Sequence, residues 1–286
     1  MTASNRPRRS ALYMPASNAR ALEKAKALDC DVVIIDLEDA VAPDAKETAR
    51  AAAAAAVAGG GYGRRELVIR VNRLDTPWGA ADVEAAAKAE PDAILLPKVE
   101  SAAEIEQLEA LINTAKPGSR SAIWCMIETP RGFLKLEEIA FASQKLGCLV
   151  MGFADLVKDL RAVDTVERQP LTYAMSRAVM TARAANIDVL DGMYPVIKDE
   201  DGLVRQCKQA REFGFDGKTL IHPSQIAPCN AAFAPSDEEV AQARRIVEAF
   251  EAAKAEGKGL AVLDGQMIEF LHADAARRVL AMASQG

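Results

Sequence analysis

Histidine is nearly missing from this chain: only His222 and His272 occur in 286 residues. Two isolated imidazoles do not make a zinc cluster, and there is no Cys-x-x-Cys pair to supply one. No Gly-x-Ser-x-Gly elbow is present either, which argues against a serine-hydrolase triad. Aromatic residues make up only 5% of the chain. No apolar run approaches the length of a membrane span. Met1 to Ser10 is basic but lacks the apolar core of a secretory signal, so we read it as a disordered basic tip rather than an organelle-targeting segment. Positive charge is in deficit overall, with a net charge of −6. Nucleic acid and anionic lipid both require a positive field, so neither is an expected partner. The five cysteines (Cys30, Cys125, Cys148, Cys207, Cys229) are odd in number, and the first three lie in apolar runs. They read as reduced core thiols of a cytoplasmic protein.

What the chain does have is hydrophobic mass (50%) and much alanine, which favours helix. Eight short apolar segments recur: Ala11–Pro15, Val32–Leu37, Leu67–Val71, Ala93–Pro97, Ala122–Ile127, Cys148–Gly152, Asp188–Gly192 and Lys218–Ile221. Helix-like stretches fall between them, at Ala19–Leu28, Ala45–Val57, Ala80–Ala89, Ala102–Thr114, Leu134–Leu146, Thr172–Ala184 and Leu203–Phe213. Such alternation implies a parallel sheet covered by helices, and uninterrupted apolar strands fit burial on both faces. Eight repeats favour a closed (β/α)8 TIM barrel over an open doubly wound sheet. We assign residues 1–234 to the barrel. Residues 235–286 read as a C-terminal helical extension. There "PSDEE" offers a capping box, Ser236 with Glu239, ahead of a helix over Glu238–Glu256. A glycine-rich turn, a short apolar strand and another helix follow. The extension is expected to serve as the eighth helix, a lid or a subunit contact.

In such barrels the chemistry lies at the C-terminal ends of the strands. Those ends are unusually polar here. They carry Tyr13, then Asp36, Glu38 and Asp39, Arg70 and Asn72, Lys98 and Glu100, Glu128, Asp155, Asp191 and His222. Glu38, Asp39, Glu128 and Asp155 would repel one another in a desolvated mouth unless protonated or joined by a cation. Oxygen ligands without a His or Cys cluster indicate Mg²⁺, with Mn²⁺ as the other candidate. Glu128 and Asp155, on adjacent strands, make the best metal pair. Arg70 is the natural clamp for a substrate carboxylate.

Each residue also has a plainer reading. Asp36, Glu38 and Asp39 would then cap helices or form salt bridges, Glu128 would pair with Arg131, and Asp155 would N-cap the segment after strand six. His222 reads as a turn residue, Lys98 as a charge partner of the acidic rim, and Cys125 as core. "GGGYG" (Gly59–Gly63) precedes a strand, the wrong order for a dinucleotide loop. "FDGKT" (Phe215–Thr219) also leads into a strand and is no phosphate loop.

Taken in order, "RRSALYMPA", "DLEDAVAPDAK", "RVNRLDTPWG", "LLPKVES", "IETPRG", "GFADL" and "GFDGKTLIHPSQI" resemble the citrate lyase β-subunit-like family of the HpcH/HpaI aldolase superfamily. The resemblance runs from Arg9 to the C-terminal helix. It implies a Mg²⁺-dependent TIM barrel assembled as a homotrimer or dimer of trimers. It also implies an enzyme that cleaves or forms the C–C bond of a 3-hydroxyacyl-CoA thioester such as malyl-, citramalyl- or citryl-CoA, exchanging it with acetyl-CoA and a 2-oxo acid. Relatives that hydrolyse the thioester instead, or act on an acyl-carrier thioester as a citrate lyase β subunit, supply the alternatives; a non-catalytic ligand-binding barrel is the remaining one. By the same resemblance Glu128 and Asp155 are the metal ligands and Arg70 the carboxylate clamp. Tyr13, Arg20 and Lys24 match positions that contact the CoA moiety. The family's carboxylate from a neighbouring subunit corresponds to Glu269 in "GQMIE", where aspartate is usual. Asp264 is a stand-in for it or a turn residue.

Overall fold

A computed structural model describes residues 6–165 and 167–284. It divides into two compact units, Met1–Asn230 and Ala231–Gly286. In the first, eight strands form a closed, fully parallel barrel in sequence order. The strands are β1 (Ser10–Pro15), β2 (Val32–Asp36), β3 (Glu66–Arg70), β4 (Ala93–Leu96), β5 (Ala122–Ile127), β6 (Leu146–Met151), β7 (Asp188–Asp191) and β8 (Gly217–Leu220). Closure is direct: Ala11 of β1 pairs with Val32 of β2 on one side and Thr219 of β8 on the other.

The connecting helices are α1 (Ala19–Ala25), α2 (Lys46–Gly59), α3 (Gly79–Ala89), α4 (Ala102–Ala115), α5 (Pro130–Leu134), α6 (Leu136–Ala140), α7 (Phe153–Asp159), α8 (Thr172–Ala185), α9 (Glu200–Phe213) and α10 (Ile226–Phe233). The TIM barrel expected from the sequence is therefore the fold. The expected helix Leu134–Leu146 is the exception. It breaks into α5 and α6, and Leu146 already belongs to β6. The Ser143 hydroxyl accepts the Lys145 N–H at 2.9 Å, a local turn that ends helical hydrogen bonding.

Alternate residues of the strands fill the barrel. Ala11, Val32, Ile34, Val68, Leu95, Trp124, Met126, Cys148, Val150 and Leu190 form one buried cluster, with Tyr13 packed against it. Each fully buried large aliphatic contributes roughly 1.5–3 kcal/mol. All five cysteines are free and buried, as core thiols should be.

The floor of the barrel is ionic. Residues 1–5 of the basic N-terminal segment lie outside the described residues, but Arg8 and Arg9 are not a loose tip. Arg8 is 6% exposed and donates to both carboxylate oxygens of Glu66 at 2.7 Å and to Asp188 at 2.5 Å. Its guanidinium also lies 4.9 Å from the Trp124 ring centroid. Arg9 binds Asp31 through its side chain. A basic run at a chain end reads as solvated; here its partners come from distant strands.

The second unit packs α11 (Asp237–Ala255) and α12 (Phe270–Ala283) with a hairpin, β9 (Ala261–Leu263) and β10 (Gln266–Ile268). Phe250, Ala253, Ala261, Ile268 and Ala273 form its core. Asp264 and Gly265 join the strands with φ of 50° and 78°, the double left-handed turn that Asp-Gly favours. Asp264 is thus a turn residue, ion-paired to Arg245 at 2.8 Å. No described helix is long and apolar enough to cross a membrane.

Candidate active site

The carboxylates collect at the C-terminal mouth of the barrel around two cations, Arg70 and Lys98. Arg70 ends β3 directly opposite Asp36, the end of β2. Its Nε and Nη2 each donate to one Asp36 oxygen at 2.7 Å. Nη1 faces Glu38 at 2.8 Å and Asp39 at 3.5 Å. The bidentate edge of Arg70 is therefore filled by the protein itself, and an incoming carboxylate would meet Nη1. Asp36 also accepts the N–H groups of Glu38 and Ala40, which fixes the loop after β2.

A second buried network supports this loop from behind. Lys46 Nζ donates to the carbonyls of Leu37 and Glu38 and to Asn72 Oδ1, all within 2.8 Å. Asn72 donates in turn to Asp82 at 2.6 Å, and Asp82 is held by Arg50 at the same distance. Sequence reasoning missed Lys46, Arg50 and Asp82. The lysine of "DAK" and the asparagine of "RVN" were the available signals.

Glu128 emerges one residue beyond β5 and is 4% exposed. It does not pair with Arg131, whose nearest carboxylate is Glu100 at 3.9 Å. Instead its Oε1 accepts the backbone N–H of Lys98 at 2.8 Å. Lys98 adopts φ of 51°, a left-handed conformation uncommon outside glycine. Its Nζ lies 3.0 Å from Glu38 and 3.6 Å from Asp155. Lys98 thus touches three of the four rim carboxylates, the charge-partner role read from the sequence. Burial pushes the Glu128 carboxyl up to about 8; Lys98 opposes the shift and Glu38 adds to it. Glu38 is also raised, chiefly by burial, against the opposing pull of Arg70.

Asp155 sits in the first turn of α7, whose N-cap is Gly152, so Asp155 is not the cap. Gly152 lies against Glu128: a Cβ there would stand 2.3 Å from the Glu128 Cβ and 2.6 Å from its Oε2. His222 is a turn residue whose ring Nδ1 accepts the Ser224 N–H at 3.2 Å.

Two hard oxygen donors, one of them buried, suit a divalent cation that keeps water or ligand oxygens for its other positions. Among the described residues no group of three or more His, Cys, Asp and Glu could hold a metal by itself. A cation held at this mouth would therefore take water or ligand oxygens besides its protein donors.

Tyr13 points into this mouth, its ring centroid 4.8 Å from the Arg70 guanidinium carbon. Arg20 and Lys24 are exposed on α1, which follows β1 at the same rim. Glu269 belongs to the second unit, where it is the N-cap of α12 and its backbone N–H donates to His272 Nδ1 at 3.0 Å. Two cavities, of about 420 and 220 Å³, open at the other end of the barrel. The larger is lined by Glu90, Asp92, Arg120 and Ser121, and neither includes a rim carboxylate.

Residues 9–223 match the model of the family described as HpcH/HpaI aldolase/citrate lyase. A (3S)-malyl-CoA thioesterase of Cereibacter sphaeroides (strain ATCC 17029 / ATH 2.4.9) is 46% identical over 277 residues, covering 97% of this chain and 95% of that protein. The citrate lyase β subunit of Escherichia coli (strain K12) is 36% identical, covering 97% and 94%. The crystal structure of protein CitE from Mycobacterium tuberculosis, in complex with magnesium, acetoacetate and coenzyme A, superposes with a TM-score of 0.80 at 30% identity, covering 98% of this chain and 99% of that one. With the closed barrel and its acidic mouth, these likenesses place the chain in the HpcH/HpaI aldolase/citrate lyase family.

Proposed function

We propose that this protein is a Mg²⁺-dependent enzyme acting on a short 3-hydroxyacyl-CoA thioester with a free carboxylate, of the malyl-CoA type, and that it hydrolyses the thioester. The observation that carries this reading is the 46% identity to a malyl-CoA thioesterase across nearly the whole of both chains. From the sequence, C–C cleavage to acetyl-CoA and a 2-oxo acid is the first expectation and hydrolysis the second. The similarity to the thioesterase reverses that order. Cleavage remains the second reading, favoured by the 36% identity to a citrate lyase β subunit.

Glu128 and Asp155 would hold the metal. When bound, Mg²⁺ supplies Lewis-acid stabilisation of negative charge on a ligand oxygen. The chain's own residues do the rest. Arg70 Nη1 takes the substrate carboxylate once Glu38 yields. Lys98 steadies Glu128 through its N–H and offsets the charge of Glu38 and Asp155 through its ammonium. Arg20 and Lys24, one helical turn apart and exposed on α1, bind CoA phosphates. Glu269 moves a proton at the thioester end, delivered from a neighbouring subunit of a trimer or a dimer of trimers.

The test is a panel of malyl-, citramalyl- and citryl-CoA with Mg²⁺, followed for free CoA and for 2-oxo acid. Hydrolysis of malyl-CoA consumes water and releases malate and CoA, whereas cleavage releases glyoxylate and acetyl-CoA. Mg²⁺-dependent CoA release without equal glyoxylate is the expected result. Failure of all three thioesters to turn over would overturn the assignment.

A further inference from the structure

Few buried side-chain atoms in this protein lack a hydrogen-bond partner. Among the described residues they are Tyr13 Oη, Glu38 Oε2, Trp124 Nε1, Thr165 Oγ1 and Asn230 Oδ1. Two of these belong to residues that touch Arg70 in the mouth. Glu38 Oε2 is at least ion-paired there, 2.8 Å from Nη1. The Tyr13 hydroxyl has no such compensation.

The ring is held from two sides. Tyr13 lies on the inward parity of β1, two residues after Ala11, and packs against the interior cluster. From above, the Arg70 guanidinium covers its face at 4.8 Å. That stack uses the π-face and leaves the hydroxyl unsatisfied. The acceptor oxygens around Arg70 are engaged elsewhere: Asp36 by Arg70 and two backbone N–H groups, Glu38 Oε1 by Lys98, Glu38 Oε2 by its ion pair with Arg70, and Glu128 Oε1 by the Lys98 N–H. Phenylalanine would fill the same space and keep the guanidinium stack without burying an unpaired hydroxyl. A buried polar atom held at such a disadvantage calls for a partner that arrives with the ligand.

We propose that Tyr13 is a substrate-contacting residue whose hydroxyl donates a hydrogen bond to a carboxylate oxygen of the ligand held at Arg70. This differs from the contact with CoA expected from family resemblance, because the hydroxyl is enclosed inside the mouth whereas Arg20 and Lys24 stand outside it on α1. Burial, reinforced by Asp36, Glu128 and Glu38 and opposed by Arg70, raises the pKa of the phenol. Tyr13 is therefore a donor at neutral pH. The identity of the ligand rests on the function proposed above; the presence of a donor awaiting a carboxylate does not.

The experiment compares native protein with Tyr13→Phe in calorimetric titrations with oxalate at saturating Mg²⁺, alongside urea denaturation without ligand. Loss of one donor should weaken oxalate about tenfold, while the urea midpoint stays level or rises. Equal oxalate affinity in the two proteins would overturn the Tyr13 contact and leave the functional assignment standing. A marked drop in the urea midpoint would also overturn it, since the hydroxyl would then have an internal partner. Failure of the native protein to bind oxalate would remove the anion site itself. Failure of the thioester panel with the oxalate difference intact would instead overturn the functional assignment alone.

Discussion

Glu128 is a carboxylate held where water barely reaches, with a single backbone N–H as its direct hydrogen-bond donor and Lys98 as its nearby cation. Burial raises its proton affinity, and a divalent cation is the partner that would restore the charged form. Glu128→Gln keeps the shape and the Lys98 contact but removes the charge. We expect it to weaken Mg²⁺ binding by at least tenfold, about 1.4 kcal/mol, measured by titration calorimetry on the folded variant. Unchanged Mg²⁺ affinity would remove Glu128 from the metal site. At this scale the sequence was informative in one direction only. A carboxyl residue directly after "AIWCMI" marks the mouth of the barrel, and so it stands. Its partner was not readable, because the bond comes from the backbone of Lys98 in a left-handed conformation that no residue type advertised.

At the scale of elements, the join between β6 and α7 is built around Gly152. The tight approach of Glu128 to this glycine fixes where the Glu128 side chain can lie beside the start of α7. Gly152 has a negative φ of −103°, so no left-handed backbone calls for glycine here, and the close approach of Glu128 does. Gly152→Ala is expected to fold, to displace Glu128, and to lose Mg²⁺-dependent thioester turnover by about tenfold or more. A variant with native turnover would show that Glu128 is free to move. The strands themselves were legible to within a residue or two at most ends, since apolar runs buried on both faces leave a strong pattern. Helix breaks were less so. Phe141 to Lys145 carries no proline or glycine, and the turn there arises from a serine side chain bonding its own neighbourhood. The hairpin at Asp264–Gly265 was within reach, because Asp-Gly between short apolar runs is a turn signal.

For the whole molecule, the barrel floor makes stability depend on pH. Burial raises the Asp188 carboxyl to about 6; Asp216 adds to the shift and Arg8 opposes it. Its unfolded value is near 3.9. A group whose folded value is raised contributes stability that is fully present below pH 4 and is lost as pH climbs through 6. Asp188→Asn should remove this dependence. Its stability relative to the native protein should therefore rise between pH 4 and 7, by about 1–3 kcal/mol, in urea denaturation. A constant difference across that range would show that Asp188 titrates normally.

The ionic floor also bears on how the chain reaches its fold. Arg8 is 58 residues from Glu66 and 180 from Asp188. None of the three can leave water favourably before the others arrive, because an unpaired buried charge is strongly disfavoured. Their desolvation must therefore coincide with ring closure, when β1 meets β8 after more than two hundred residues of chain. Contacts of such sequence separation form late and slowly. On this argument the bottom of the barrel would act as a late checkpoint in folding, opposing partial rings in which β3 or β7 is out of place.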